Sequence, residues 1–178
     1  MNFQNTIFFL LLFYNVQTAI ETPCTLREQK MRKILRGNSK NVLSFQSGGL
    51  LTTARINYYQ PGFYSSIPTR DTIYIVNFLF GFTYCALTQS LEFRTMQSYE
   101  INTVFLSLWD YTYRTYNFQV FISFNGIENL VFDSLAATGS IYIKFAEQQV
   151  DTIRYYNRGG STDNFALILI KVEAFYKR

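Results

Sequence analysis

Residues 116–124, YNFQVFISF, alternate cleanly. Tyr116, Phe118, Val120, Ile122 and Phe124 fall on one side, and Asn117, Gln119, Phe121 and Ser123 on the other. A period of two sustained over this length predicts a β-strand with one buried face. Asn125-Gly126 follows, and both residue types tolerate positive φ, so the chain should turn tightly and return along Ile127–Phe132. Residues 101–109 are apolar on both faces, which predicts a central strand covered on both sides.

The same reading gives strands over Val42–Phe45 and Leu50–Ile56, separated by Gly48-Gly49, and over Thr72–Phe80, closed by Gly81. Shorter strands are expected at Leu91–Arg94, Ser140–Phe145 and Thr152–Tyr156, and a long last strand at Phe165–Tyr176. Ile141, Ile143 and Phe145 should face inward. Pro61-Gly62 and Pro68 mark Tyr58–Thr69 as a loop, and NRGGSTDN, 157–164, reads as another. Roughly eight short strands with turns between them describe one all-β sandwich, with no second domain.

The N-terminal forty residues differ. Residues 1–19 are uncharged with an apolar centre, Ile7–Tyr14. That centre has the length of a signal-peptide core and is short for a membrane span. Residues 1–19 are therefore either a secretory signal cleaved after Ala19 or a retained hydrophobic anchor. Residues 20–40 form a basic helical segment. Thr25 and Glu28 have the spacing of a capping box, and Gly37 stands where a helix would stop. Residues 41–178 form the β domain.

Charge narrows the function classes. The chain of 178 residues has a net charge of +4. Arg27, Lys30, Arg32, Lys33, Arg36 and Lys40 stand against Glu21 and Glu28, so the whole excess lies in residues 20–40 and the β domain is neutral. The basic balance is thus one short segment, and a nucleic-acid partner is not expected. There is no histidine, which removes the commonest general base and metal ligand. No phosphate-cradling glycine loop, cofactor motif or metal-ligand cluster is present, and no enzyme is expected. Cys24 and Cys85 are the two cysteines and permit one disulfide in an oxidising compartment.

The order of residues also resembles a family. Ile101-Asn102-Thr103, then Leu106 to Asp110, Arg114-x-Tyr116, Asn125-Gly126, Ile143-Lys144-Phe145, Val150, Ile153-Arg154-Tyr155 and Val172-Glu173-Ala174-Phe175 follow the pattern of the coagulation-factor type C, or discoidin, domain. The versions attached to BTB-domain proteins look most alike, with Gly81-Phe82-Thr83-Tyr84-Cys85 matching a segment upstream of their core. The resemblance covers about residues 41–176. It implies an eight-stranded antiparallel jelly roll of the galactose-binding-like kind, preceded here by a short helix. It also implies a non-enzymatic module that binds glycans, acidic phospholipids or proteins through loops at one end.

Several side chains then become candidates. Tyr64, Phe82, Tyr84, Arg158, Asp163 and Asn164 are the expected ligand-binding set, because loop aromatics can stack on sugars and polar loop residues can hydrogen-bond them. The same aromatics could simply pack, and the polar residues could hold their own loop. Trp109, Asp110, Arg114 and Tyr116 are expected to be structural, with Asp110 and Arg114 pairing across a tight connection. Two functions remain open at this stage. One is a secreted or cell-surface binding and adhesion module for a glycan or protein ligand. The other is a structural docking subunit, anchored to a membrane or complex partner through residues 1–36.

Overall fold

The computed structural model describes residues 23–53, 56–58, 67–70 and 81–177. The expectations for residues 1–19, for most of the loop at 58–69 and for the strand at 72–80 lie outside them. The chain divides into two units, 1–33 and 34–178.

The first unit contributes most of helix α1, Pro23–Leu35. The helix starts three residues earlier than a Thr25 N-cap implies, with Thr25 inside the first turn. Proline suits that place, because its φ is already helical and it has no N–H to leave unsatisfied. Glu28 accepts a hydrogen bond from Arg32 one turn on, at 3.0 Å.

The second unit is an all-β, eight-stranded antiparallel jelly roll. Its strands are β1 (Leu50–Leu51), β2 (Ile56–Tyr58), β3 (Phe82–Cys85), β4 (Ser90–Leu108), β5 (Tyr116–Phe124), β6 (Ile127–Ala137), β7 (Ser140–Ser161) and β8 (Leu167–Phe175). The hydrogen-bonded order is β2-β3-β8-β4-β7-β5-β6, with β1 added to β4. Residues 42–45, expected as a strand, instead turn into a short 3-10 segment, Phe45–Ser47, capped by the Ser44 side chain.

Two strands organise the sandwich. Sequence reading gave separate strands at Leu91–Arg94 and Ile101–Trp109, and again at Ser140–Phe145 and Thr152–Tyr156. Each pair is one long strand, β4 and β7. The intervening stretches, TMQSYE and AEQQVD, contain no Gly or Pro to turn the chain. It bends instead, with register shifts between Arg94 and Tyr99 and between Ile101 and Thr103. The first part of β4 and the last part of β7 extend through β5, β6 and β1. The last part of β4 takes β8, β3 and β2.

The alternating positions fill the space between. Tyr116, Phe118, Val120 and Ile122 are buried on β5, and Phe93 meets Tyr155 edge-on at 5.6 Å. Ile101, Val104, Leu106 and Leu108 are buried on β4, and the Leu167–Ile170 run of its hydrogen-bonded neighbour β8 is buried on both faces. On β5 and β6 the prediction of a tight Asn125-Gly126 turn holds, with φ of 51° and 79°. β7 continues through Asn157–Ser161, part of the expected loop. Gly159 permits this: a Cβ there would lie 2.5 Å from Asn117 Nδ2 on β5.

Asn157 is the buried polar hinge of this region. Its Nδ2 donates to the carbonyls of Cys85 at 3.2 Å and Phe165 at 2.9 Å, and its Oδ1 accepts from Gly160 N at 2.7 Å. Cys85 is buried, and desolvation pushes its thiol pKa up to about 12, whereas Cys24 is exposed on α1. Cys24 belongs to the first unit and Cys85 to the second, each with a free thiol in this structure.

Three outcomes test this packing. Asn157→Ala should cost on the order of 2–4 kcal/mol in urea denaturation, because it removes hydrogen bonds to three backbone groups, two of them buried; a loss under about 0.5 kcal/mol would contradict the hinge role. In the native protein only Cys24 should react quickly with an alkylating reagent, with Cys85 following on unfolding. Glu128 is hydrogen-bonded by Arg154, which lowers its pKa below the ordinary 4.5. Its contribution is therefore present above that value and lost as pH falls through the lower folded value. The denaturation midpoint should drop more on acidification in the wild type than in Glu128→Gln, and equal drops would refute the pairing.

Candidate functional site

Three segments meet at one end of the sandwich: the β4–β5 connection at 109–115, the β6–β7 turn at 138–139 and the β7–β8 loop at 162–166. Backbone bonds fix them. Leu108 N donates to Gly139 O at 2.9 Å, Trp109 N to Ile168 O at 3.2 Å, and Thr162 N to Thr115 O at 3.0 Å.

Arg114 is the centre of this end. It is only 6% exposed. Its guanidinium lies 4.3 Å from the Trp109 ring centroid, and Nη2 is 3.0 Å from Asp163 Oδ2. Nε and Nη2 also donate to Thr112 Oγ1 at 2.9 and 2.8 Å, and the Thr112 hydroxyl donates onward to Asp163. Nη1 is buried without an acceptor among the described residues. Tyr116 donates its hydroxyl to Trp109 O at 2.5 Å, and burial raises its pKa, partly offset by Arg114. Phe82 meets the Trp109 ring edge-on at 5.9 Å.

The Asp110–Arg114 pair expected from spacing does not form; Asp163 takes Arg114 instead. The reason is local. Tyr113 N donates to Asp110 O, closing a four-residue turn, and Tyr113 takes a positive φ of 55°. The turn leaves Asp110 exposed while the next residue, Arg114, goes inward.

Between the connection and the β6–β7 turn lies a cleft of about 420 Å³, lined by Asp110, Tyr111, Tyr113, Arg114, Thr138 and Gly139. This volume is in the range of small-ligand sites. Tyr113 is 97% exposed, and Tyr111 is 59% exposed beside Trp109, with ring centroids 5.7 Å apart. A fully exposed bulky residue held at positive φ costs backbone energy without gaining packing, which is a mark of functional positions. Asp110 makes no ion pair or side-chain hydrogen bond among the described residues.

The residues expected to bind ligand are placed as follows. Tyr64 lies outside the described residues. Phe82 is buried behind Trp109, and Tyr84 is half-buried on β3. Arg158 is held by Asp133 at 2.7 Å and by Asn117 at 2.7 Å. Asn164 accepts from Ser161 and Ala166 within its own loop. Asp163 supports Arg114 from behind. None of these described residues lines the cleft, although Asp163 reaches it through Arg114. The aromatic signal that marks the cleft was present in the sequence as Tyr111 and Tyr113, which flank Thr112 just after Trp109-Asp110.

A second cleft, about 500 Å³, lies around the β5–β6 turn and includes Glu92, Arg94, Glu128 and Asp151. It has no aromatic wall, and its acids are engaged: Glu92 with Arg94, Glu128 with Arg154, and Asp151 with Asn125 N. Among the described residues no cluster of Cys, Asp and Glu could hold a metal ion, and no helix is long and apolar enough to cross a membrane.

No protein-family model matches the chain, and no curated protein matches it in sequence. Solved structures do share its fold. The family 32 carbohydrate-binding module from C. perfringens NanJ, in complex with galactose, superposes with a TM-score of 0.54 at 12% identity. The match covers 76% of this chain and 98% of that one. The module CpGH89CBM32-5 from Clostridium perfringens, in complex with GalNAc-beta-1,3-galactose, gives 0.53 at 11% identity over 73% and 96% of the two chains. SpGH29 gives 0.57 at 12% identity, covering 86% of this chain and 31% of its own length. At such identities the likeness establishes the fold, a galactose-binding-like jelly roll.

Asp163→Ala should destabilise the protein by on the order of 2 kcal/mol, because it strips the partly buried guanidinium of its carboxylate. Thr112→Val should cost less. A neutral Asp163→Ala in urea denaturation would show that Thr112 and Trp109 suffice to hold Arg114.

Proposed function

We propose that this protein is a non-enzymatic carbohydrate-binding module that recognises a glycan in the 110–114/138–139 cleft. It would act outside the cell or at its surface, in the manner of discoidin-like domains. The observation that carries the reading is the rim itself. Two exposed tyrosines, one held in a strained conformation without a ring partner among the described residues, stand beside an unengaged carboxylate and a buried guanidinium. Sugars present apolar C–H faces that stack on aromatic rings, and hydroxyls that both donate and accept. Asp110 offers acceptors for those hydroxyls, and Arg114 is fixed before any ligand arrives. The jelly-roll neighbours in complex with galactose and GalNAc-beta-1,3-galactose support the class of ligand.

Glycan-array binding followed by titration calorimetry tests this. Tyr113→Ala should weaken any sugar found by roughly five- to tenfold while changing stability by less than about 0.5 kcal/mol. Unchanged affinity in that variant would move the site elsewhere on the molecule.

A further inference from the structure

The charges around the cleft are unequal. Arg114 is the sole cation among its described lining residues, and Asp163 already neutralises it at 3.0 Å from behind the lining. Asp110 has no such partner. It is exposed, lines the cleft and makes no ion pair among the described residues. The lining therefore presents one uncompensated carboxylate. The two aromatic side chains beside it are tyrosines, whose ring faces attract cations. A free carboxylate next to aromatic faces favours a protonated amine. The same arrangement disfavours a second carboxylate or a sulfate, because the one cation among the described lining residues, Arg114, is already paired with Asp163.

We propose that the cleft prefers a hexosamine with a free amino group, its ammonium against Asp110 and its ring beside Tyr111 and Tyr113. Uronic and sulfated sugars are disfavoured. This rests on the sugar-binding reading above and adds the charge class of the sugar. The N-acetyl form of the same sugar keeps the ring and hydroxyls but loses the charge, so it isolates the contribution of Asp110.

The test is calorimetry at about pH 6, where a sugar amine is protonated, in low salt. It compares glucosamine oligomers, their N-acetylated counterparts, neutral hexose oligomers and uronic-acid oligomers. The free-amine form should bind roughly fivefold tighter than the N-acetyl form, the size expected of one solvent-exposed ion pair, and the uronate should bind weakest. In Asp110→Asn the ratio between amine and N-acetyl forms should fall to about one. Asp110 is exposed, so this variant keeps the fold. Equal affinity of the two forms in the wild type, or an amine preference that survives Asp110→Asn, overturns the inference while leaving a sugar-binding module in place. A folded protein that retains no sugar of any charge overturns the sugar reading, and this inference with it.

Discussion

Arg114 carries a full charge at a position almost closed to water, and the loop end of the molecule is arranged around that fact. An unpaired buried cation is worth several kcal/mol of destabilisation. The chain answers with Asp163 from the β7–β8 loop, Thr112 from its own connection and the face of Trp109. Thr112 and Trp109 belong to the same connection as Arg114, and Asp163 to a separate loop. Satisfying one guanidinium therefore adds side-chain bonds to the Thr162–Thr115 backbone bond that joins the two segments. Tyr116, at the start of β5, closes the same unit by bonding the Trp109 carbonyl.

The consequence for function is geometric. The turn that sends Arg114 inward to Asp163 leaves Asp110 at the surface and holds Tyr113 in a left-handed conformation with its ring in solvent. The buried ion pair thus stands behind an exposed rim, the place proposed above for a sugar. Preorganisation matters here, because a small ligand has little contact energy with which to order loops. The long bent strands β4 and β7 supply the frame, since the rim connection leaves one at Leu108 and the Thr138-Gly139 turn enters the other at Ser140.

Much of the fold was legible in the sequence. The period-two runs gave β5, the core-facing side chains and the β5–β6 turn. The double-sided apolar run gave β4 as a central strand. What failed were boundaries: polar stretches such as TMQSYE look like loops, yet without Gly or Pro they bend inside a strand. At the site, the sequence singled out Asp110 and Arg114 but could not choose their partners. Spacing favoured a local pair, while the actual partner of Arg114 is 49 residues away in the chain and is chosen by the sandwich. Conversely, Arg158 and Asn164 carry sugar-binding chemistry in principle, and tertiary neighbours absorb it.

On the proposed reading, ligand meets this protein at the Arg114-supported rim. A backbone amide NMR titration with the best sugar from the array locates the contact residue by residue. Shift changes are expected to be confined to residues 109–115 and 137–140, with the amide of Asp163 following through Arg114. Changes centred instead on the cleft at Glu92, Glu128 and Asp151, or spread evenly over the sandwich, would contradict it.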